Sequence, residues 1–154
     1  MGDGVRFMNK TKLVLVMSVV ALAAAVVLPA APAVAATNGT AIEVPGTAAL
    51  NAGGSARVLS MSCAVSAGCS AGGYYTGGAG NALPFVVDQT AATWRRAIEV
   101  PGFAALPGAA DGYVESVSCS SPGNCAAAGV FDDTAALSYP FVVSETSGTW
   151  VRWR

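Results

Sequence analysis

Histidine is absent from this 154-residue sequence, and only 11% of the residues are charged. Eight lysines and arginines stand against nine aspartates and glutamates, which gives a formal net charge of -1. The chain therefore lacks the basic excess with which proteins neutralise a phosphate backbone, and nucleic acid is not an expected partner. Because no histidine is available as a general base, a histidine-dependent catalytic triad is also excluded.

The N-terminal region has the anatomy of a secretory signal peptide. Three basic residues precede the apolar run Leu13–Leu28, and prolines and small alanine-rich residues follow it. This pattern predicts a signal helix over residues 1–35, cleaved after Ala35 or one residue later, and then a short linker over residues 36–40. An uncleaved membrane anchor is the alternative, because about 20 apolar residues span a bilayer. The prediction is an extracellular or cell-surface protein that meets the membrane only through its signal segment.

Cysteine is scarce but regularly placed in the exported part. Two pairs, Cys63 with Cys69 and Cys119 with Cys125, each enclose five residues. An even number of cysteines in an exported protein indicates disulfides. Structural zinc sites favour shorter spacings between paired ligands, so metal is the weaker alternative. We therefore expect two disulfides, no metal and no cofactor.

A 56-residue repeat is the strongest signal in the sequence. Residues 41–96 align with residues 97–152 without a gap and with 25 identical positions. The shared residues are mainly apolar, glycine, proline or cysteine, as in the matching segments Pro84–Val87 and Pro140–Val143. Repeats of this length indicate a modular architecture. The sequence predicts repeat 1 over residues 41–96 and repeat 2 over residues 97–154, whose last strand is truncated.

Each repeat consists of short β-prone runs bounded by turn residues, without a helical period. The sequence therefore predicts an all-β fold with two tandem four-stranded antiparallel repeats, each similar to a propeller blade. The expected strands cover residues 58–64, 69–76, 83–88 and 94–101 in repeat 1, and 114–120, 125–132, 139–144 and 150 onward in repeat 2.

These segments resemble a repeat of secreted bacterial proteins. Ser118–Gly129, Phe141–Val143 and Gly148–Trp150 carry the resemblance, and such repeats are similar to the blades of Asp-box, sialidase-like β-propellers. In an Asp-box an aspartate stands in the turn between the third and fourth strands, whereas the corresponding segment here contains Glu145. The resemblance covers residues 41–154 and implies the architecture alone.

Two blades do not close a propeller ring, because repeat units generally need about three or more copies to cover their apolar faces. One solution is self-association into a composite ring. In that case Ala41–Pro45 is expected to complete the truncated strand at Arg152–Arg154 of a neighbour. The other solution is that the chain is part of a longer propeller.

Two tryptophans at equivalent positions are candidate ligand-binding residues. Trp94 and Trp150 both begin a fourth strand, where their rings could stack against sugars. Packing within the blade is the competing interpretation and the favoured one, since an aromatic residue at a fixed repeat position is usually core.

The repeated carboxylates Glu43 and Glu99 are further candidates, with Arg95 and Arg96 nearby in sequence. In a carbohydrate-binding protein, carboxylates accept hydrogen bonds from sugar hydroxyls and arginines donate them. Simple solvation of the strand acids is the alternative.

Three functions remain open on this sequence. The leading hypothesis is a secreted, noncatalytic binding or surface module for a glycan or another cell-envelope component. The second is a fragment of a larger propeller without independent activity. The third is a glycoside hydrolase of the sialidase type, whose carboxylates would have to meet in a cleft of defined geometry.

Overall fold

A computed structural model describes residues 39–64 and 68–152, with only the backbone of Arg152. The predicted all-β class is confirmed, since two antiparallel sheets account for most of these residues. The predicted signal peptide, most of the linker and the last two residues lie outside the described residues.

The structure contains two antiparallel sheets, which we call blade 1 and blade 2; repeat 1 and the start of repeat 2 form blade 1, and the rest of repeat 2 forms blade 2. Blade 1 contains β1 (Ala56–Ala64), β2 (Gly68–Thr76), β3 (Ala82–Thr90), β4 (Thr93–Trp94) and β5 (Ile98–Glu99). Its strands follow the order β1-β2-β3-β4, and β5 also pairs with β3. Blade 2 contains, in sheet order, β6 (Ala109–Ser121), β7 (Asn124–Asp133), β8 (Ser138–Thr146) and β9 (Thr149–Arg152). Consecutive strands therefore pair with each other in both sheets, except that β5 pairs with β3.

The fourth strand of repeat 1 differs from the prediction of one continuous strand. It is broken into β4 and β5, which pair with separate parts of β3. At the break, the N–H of Ala97 donates to the carbonyl of Pro45 at 2.8 Å. Ala41–Pro45 forms no strand within this chain, and its expected pairing with a strand of a neighbouring copy stays a prediction.

Two short helical segments, missed by the sequence pattern, precede the blades at equivalent positions. α1 covers Thr47–Leu50, and a 3-10 helix covers Phe103–Ala105. Each follows a glycine in the left-handed region, with φ of 89° at Gly46 and 82° at Gly102. A single turn is too short to show a helical period, whereas the repeated Pro-Gly pair is a turn signal.

Both predicted disulfides are present and occupy the same place in each repeat. Cys63 pairs with Cys69 across the β1–β2 hairpin, and Cys119 pairs with Cys125 across the β6–β7 hairpin. A bridge that closes so short a loop removes little entropy from the unfolded chain, about 2 kcal/mol by loop-closure arithmetic. The disulfides therefore fix the hairpins rather than hold the two blades together.

Blade 2 packs on one face of blade 1, which we call its back face. Val86 projects from this face and is fully buried in a cluster with Val114, Val117 and Phe141 of blade 2. A Cβ atom placed on Gly72 would lie 2.5 Å from Cγ1 of Val114, so the absence of a side chain there makes room for the valine.

The opposite, front face of blade 1 holds a second apolar cluster. Tyr75, Phe85 and Val87 form its centre, and Val44 and Leu50 of the preceding segment pack against it. Burial of this apolar surface on both faces is the main stabilising term for the blade.

Hydrogen bonds join the first strands of the two blades. The N–H of Val117 donates to Oγ of Ser60 at 3.0 Å, and the N–H of Cys119 donates to Oγ of Ser62 at 3.1 Å. Residues Thr40–Arg154 accordingly form one contact unit that includes both repeats. Among the described residues, no helix is long and apolar enough to cross a membrane.

Candidate functional site

A polar cleft of about 310 Å³ lies where the ends of the two blades meet. Blade 1 supplies residues from β2, β3 and the segment after β4, and blade 2 supplies β8 and the turn that follows it. The side chains that line the cleft and can form hydrogen bonds include Ser70, Asp88, Gln89, Thr90, Arg95 and Glu145.

Glu145 is the buried acid of this cleft, with 4% of its surface exposed. It hydrogen-bonds with the Asp88 carboxyl, and the Ser70 hydroxyl lies 3.5 Å from Oε2. Burial and then the neighbouring Asp88 charge raise the pKa of Glu145 to about 7, although Ser70 and Arg95 act in the opposite direction. Glu145 therefore keeps part of its protonated population near neutral pH.

Trp150 fixes the position of Asp88. Its indole Nε1–H donates to both carboxylate oxygens, at 2.9 Å to Oδ1 and 3.0 Å to Oδ2. The indole belongs to blade 2 and the carboxylate to blade 1, so this contact aligns the two walls of the cleft. Trp150 is only 5% exposed, so in this structure its ring packs in the core and its indole N–H orients Asp88.

The other predicted ligand-binding residues are dispersed. Trp94 is half-buried beside the front-face cluster, Glu43 accepts a hydrogen bond from the Thr47 hydroxyl, and Glu99 accepts one from Tyr75 at 2.7 Å. Burial and the Glu99 hydrogen bond raise the pKa of Tyr75. Arg95 lines the cleft, whereas its neighbour Arg96 lies against Gly46.

The Asp88–Glu145 pair was missed by the sequence reasoning, which followed residues shared between the repeats. Asp88 corresponds to Ser144 and Glu145 corresponds to Gln89, so neither acid is repeated. The sequence signal that could have identified them is an acidic residue in one repeat whose equivalent in the other repeat is not acidic. Glu145 also stands in the segment where the resembling repeats place an aspartate.

The donor set of the cleft suits hydroxyl groups better than a metal ion. Carboxylate and amide oxygens accept hydrogen bonds, and the Arg95 guanidinium and the amide of Gln89 donate them. Within residues 39–64 and 68–152, no group of three or more metal-ligating side chains comes together. Searches of family models, curated proteins and solved structures find no match to this chain. The chemistry of the site therefore has to be inferred from its own residues.

We expect Glu145→Gln to remove a pH dependence of stability. The folded-state pKa of about 7 lies above the ordinary value of 4.5, so the folded protein binds the extra proton between these values. Stability from this group is present below about pH 4.5 and is lost as the pH rises to about 7. Urea unfolding midpoints measured over this range should fall more steeply with pH in the wild type than in Glu145→Gln. Parallel curves would contradict the assignment. Glutamine has nearly the same shape as glutamate, so the variant removes the titrating proton with little change in packing.

Proposed function

We propose that this chain is an exported, noncatalytic binding module of the β-propeller type, whose ligand is a carbohydrate of the cell envelope or a similar hydroxyl-rich molecule. The observation that carries the proposal is the cleft between the blades, where Asp88, Glu145 and Arg95 converge. Carboxylate acceptors and an arginine donor at one site match the alternating donors and acceptors of a sugar.

The charge balance of the cleft favours a neutral ligand. The raised pKa of Glu145 reduces the negative charge of the cleft near pH 7, and Arg95 offsets part of the charge that remains. A strongly anionic ligand would meet the two acids, and a cation would meet the arginine. A neutral polyol avoids both costs while using the same hydrogen bonds.

The geometry of the acids supports binding over hydrolysis. Glycosidases hold their two carboxyl groups about 5 to 9.5 Å apart, so that the scissile bond, and in some enzymes a water, fits between them. Here the carboxyls of Asp88 and Glu145 lie close enough to interact directly, which is a shorter separation than either class of glycosidase uses.

Export is supported by the signal-peptide pattern and by the two disulfides. Disulfides persist in oxidising compartments and are rare in the cytosol. The likeness to secreted propeller repeats fits the same location.

Arg95→Ala is the variant that tests this proposal, with Arg96→Ala as its control. Both arginines are exposed and adjacent in sequence, but only Arg95 lines the cleft. On a panel of neutral oligosaccharides, we expect the wild type to bind at least one member and Arg95→Ala to bind it at least tenfold more weakly. Loss of one charge-assisted hydrogen bond, about 1.5 to 3 kcal/mol, accounts for this change.

The same panel provides the outcomes against the proposal. Equal weakening by both alanine variants would place the binding surface outside the cleft. Absence of binding to every glycan would refute carbohydrate recognition. Release of free sugar by the wild type, lost in Glu145→Gln, would show a hydrolase in place of a binding module.

A further inference from the structure

Two valines at equivalent positions of the repeats differ strongly in exposure, because one apolar face of blade 2 is not covered by any described residue. Val86 on the back face of blade 1 is 0% exposed, and its equivalent Val142 on blade 2 is 61% exposed. The difference arises because blade 2 covers the first valine and no described residue covers the second. The back face of blade 2 continues with exposed apolar residues on its strands, among them Ala126, Ala128, Pro140 and Val151.

Strand β1 carries the complementary surface. Val114 and Val117 of β6 are buried against blade 1, whereas their equivalents in β1, Val58 and Met61, are 45% and 59% exposed. Val44 and Leu50 cover the centre of the front face, so the open part of that face is β1 itself.

The hydrogen-bonding groups of the blade contact recur as well. Ser60 and Ser62 accept hydrogen bonds from the backbone of β6, and their equivalents on β6 are Ser116 and Ser118. Both of the latter serines are exposed. Blade 2 thus presents the same two hydroxyls that blade 1 uses to hold the next strand.

We propose that the back face of blade 2 binds strand β1 of a second copy of this chain. The contact is head to tail and repeats the arrangement seen between the two blades. The partner's Val58 takes the place of Val114, and Ser116 and Ser118 accept N–H groups of the partner's β1. Such a heterologous contact builds a ring when its rotation closes and an open filament when it does not.

Two departures from the repeat make this contact weaker than the one within the chain. Ala128 stands where blade 1 has Gly72, so its methyl occupies the space that Val114 uses in the internal contact. The edge-to-face pair of Tyr74 with Tyr113, whose ring centroids are 5.0 Å apart, is also missing, because Val130 occupies the place of Tyr74. We therefore expect reversible association that depends on concentration.

Analytical ultracentrifugation of the exported, disulfide-intact chain tests this proposal with two variants. Val142→Glu blocks the back face of blade 2, and Val58→Glu blocks β1. Each variant alone should remain monomeric, because head-to-tail contact needs both faces. An equimolar mixture should form a heterodimer and nothing larger, since only one intact pair of faces remains. Unchanged circular dichroism and melting temperature would show that both variants fold.

The control is Leu59→Glu, which places the same charge beside Val58. Its equivalent is Glu115, which is exposed on β6 although that strand packs on blade 1. Leu59→Glu should therefore associate like the wild type, whereas Ala128→Gly should associate more tightly, because it restores the notch of Gly72.

Three results would overturn the proposal. One is a wild-type chain that stays monomeric up to about 1 mM, the weak limit of specific binding. Another is self-association of Val142→Glu alone, which would require a different surface. The third is a mixture of the two variants that remains monomeric, which would leave the back face to another occupant, such as a further blade of a longer chain. None of these results bears on glycan binding, because the cleft lies within one chain.

Discussion

Val86→Asp is expected to unfold the chain or to destabilise it by about 4 kcal/mol or more, whereas Val142→Asp costs no more than about 1 kcal/mol. The two valines occupy the same position in their repeats and have the same neighbours along the sequence, Phe-Val-Val. Val86 is fully buried where the blades meet, so an aspartate there loses its hydration without gaining a partner. Val142 is mostly exposed, so an aspartate at this position remains hydrated, and the variant loses stability only because aspartate has a poor strand propensity.

Chemical denaturation at low protein concentration, where chains do not associate, checks this prediction. A domain of this size has a total stability of roughly 5 to 15 kcal/mol, so the loss at Val86 is a large fraction of it. Equal destabilisation by the two aspartates would contradict the packing of blade 2 on the back face of blade 1.

Gly73→Ala and Gly129→Ala are expected to have effects of similar size through the backbone. A methyl group at Gly73 would overlap the carbonyl oxygen of Arg57, and one at Gly129 would overlap that of Tyr113. Both glycines pair with the first strand of their blade at an irregularity in the register, next to Val58 and Val114 respectively. The strands would have to separate to admit a Cβ atom, at a cost of roughly 3 kcal/mol or more.

Gly78→Ala is the control for these two variants. A Cβ atom there has Ala52 as its nearest neighbour, at 3.7 Å, and Gly78 lies in an exposed turn. Its stability should stay within about 0.5 kcal/mol of the wild type. If all three alanine variants unfold at the same denaturant concentration, the close approach of the strands at Gly73 and Gly129 is wrong.

Most of the fold could be predicted from the sequence because the same pattern of β-prone runs and turn residues occurs twice, once in each repeat. The hairpins were located from β-prone runs that end at turn residues, and the cysteine spacing located their disulfides. The break between β4 and β5 could not be predicted in this way. It depends on Pro45, whose carbonyl receives the N–H of Ala97 from more than fifty residues away.

The candidate site was harder to predict, for a physical reason. A repeat comparison detects residues that both blades need for packing, such as Trp94 and Trp150. A cleft between two blades is built from the residues on facing surfaces, and these differ because each chain has only one such junction. Asp88 and Glu145 are therefore unlike their equivalents Ser144 and Gln89, and only the folded arrangement brings the two acids together.

The NMR titration of the Glu145 side-chain carboxyl tests most directly whether the two blades meet as described and form this cleft. Only blade-on-blade packing buries this acid beside Asp88. We expect a titration midpoint near pH 7 that falls when Asp88 is replaced by asparagine, because the neighbouring negative charge is removed. A midpoint near the ordinary value of 4.5, unchanged in Asp88→Asn, would show that the two blades do not bury Glu145 beside Asp88.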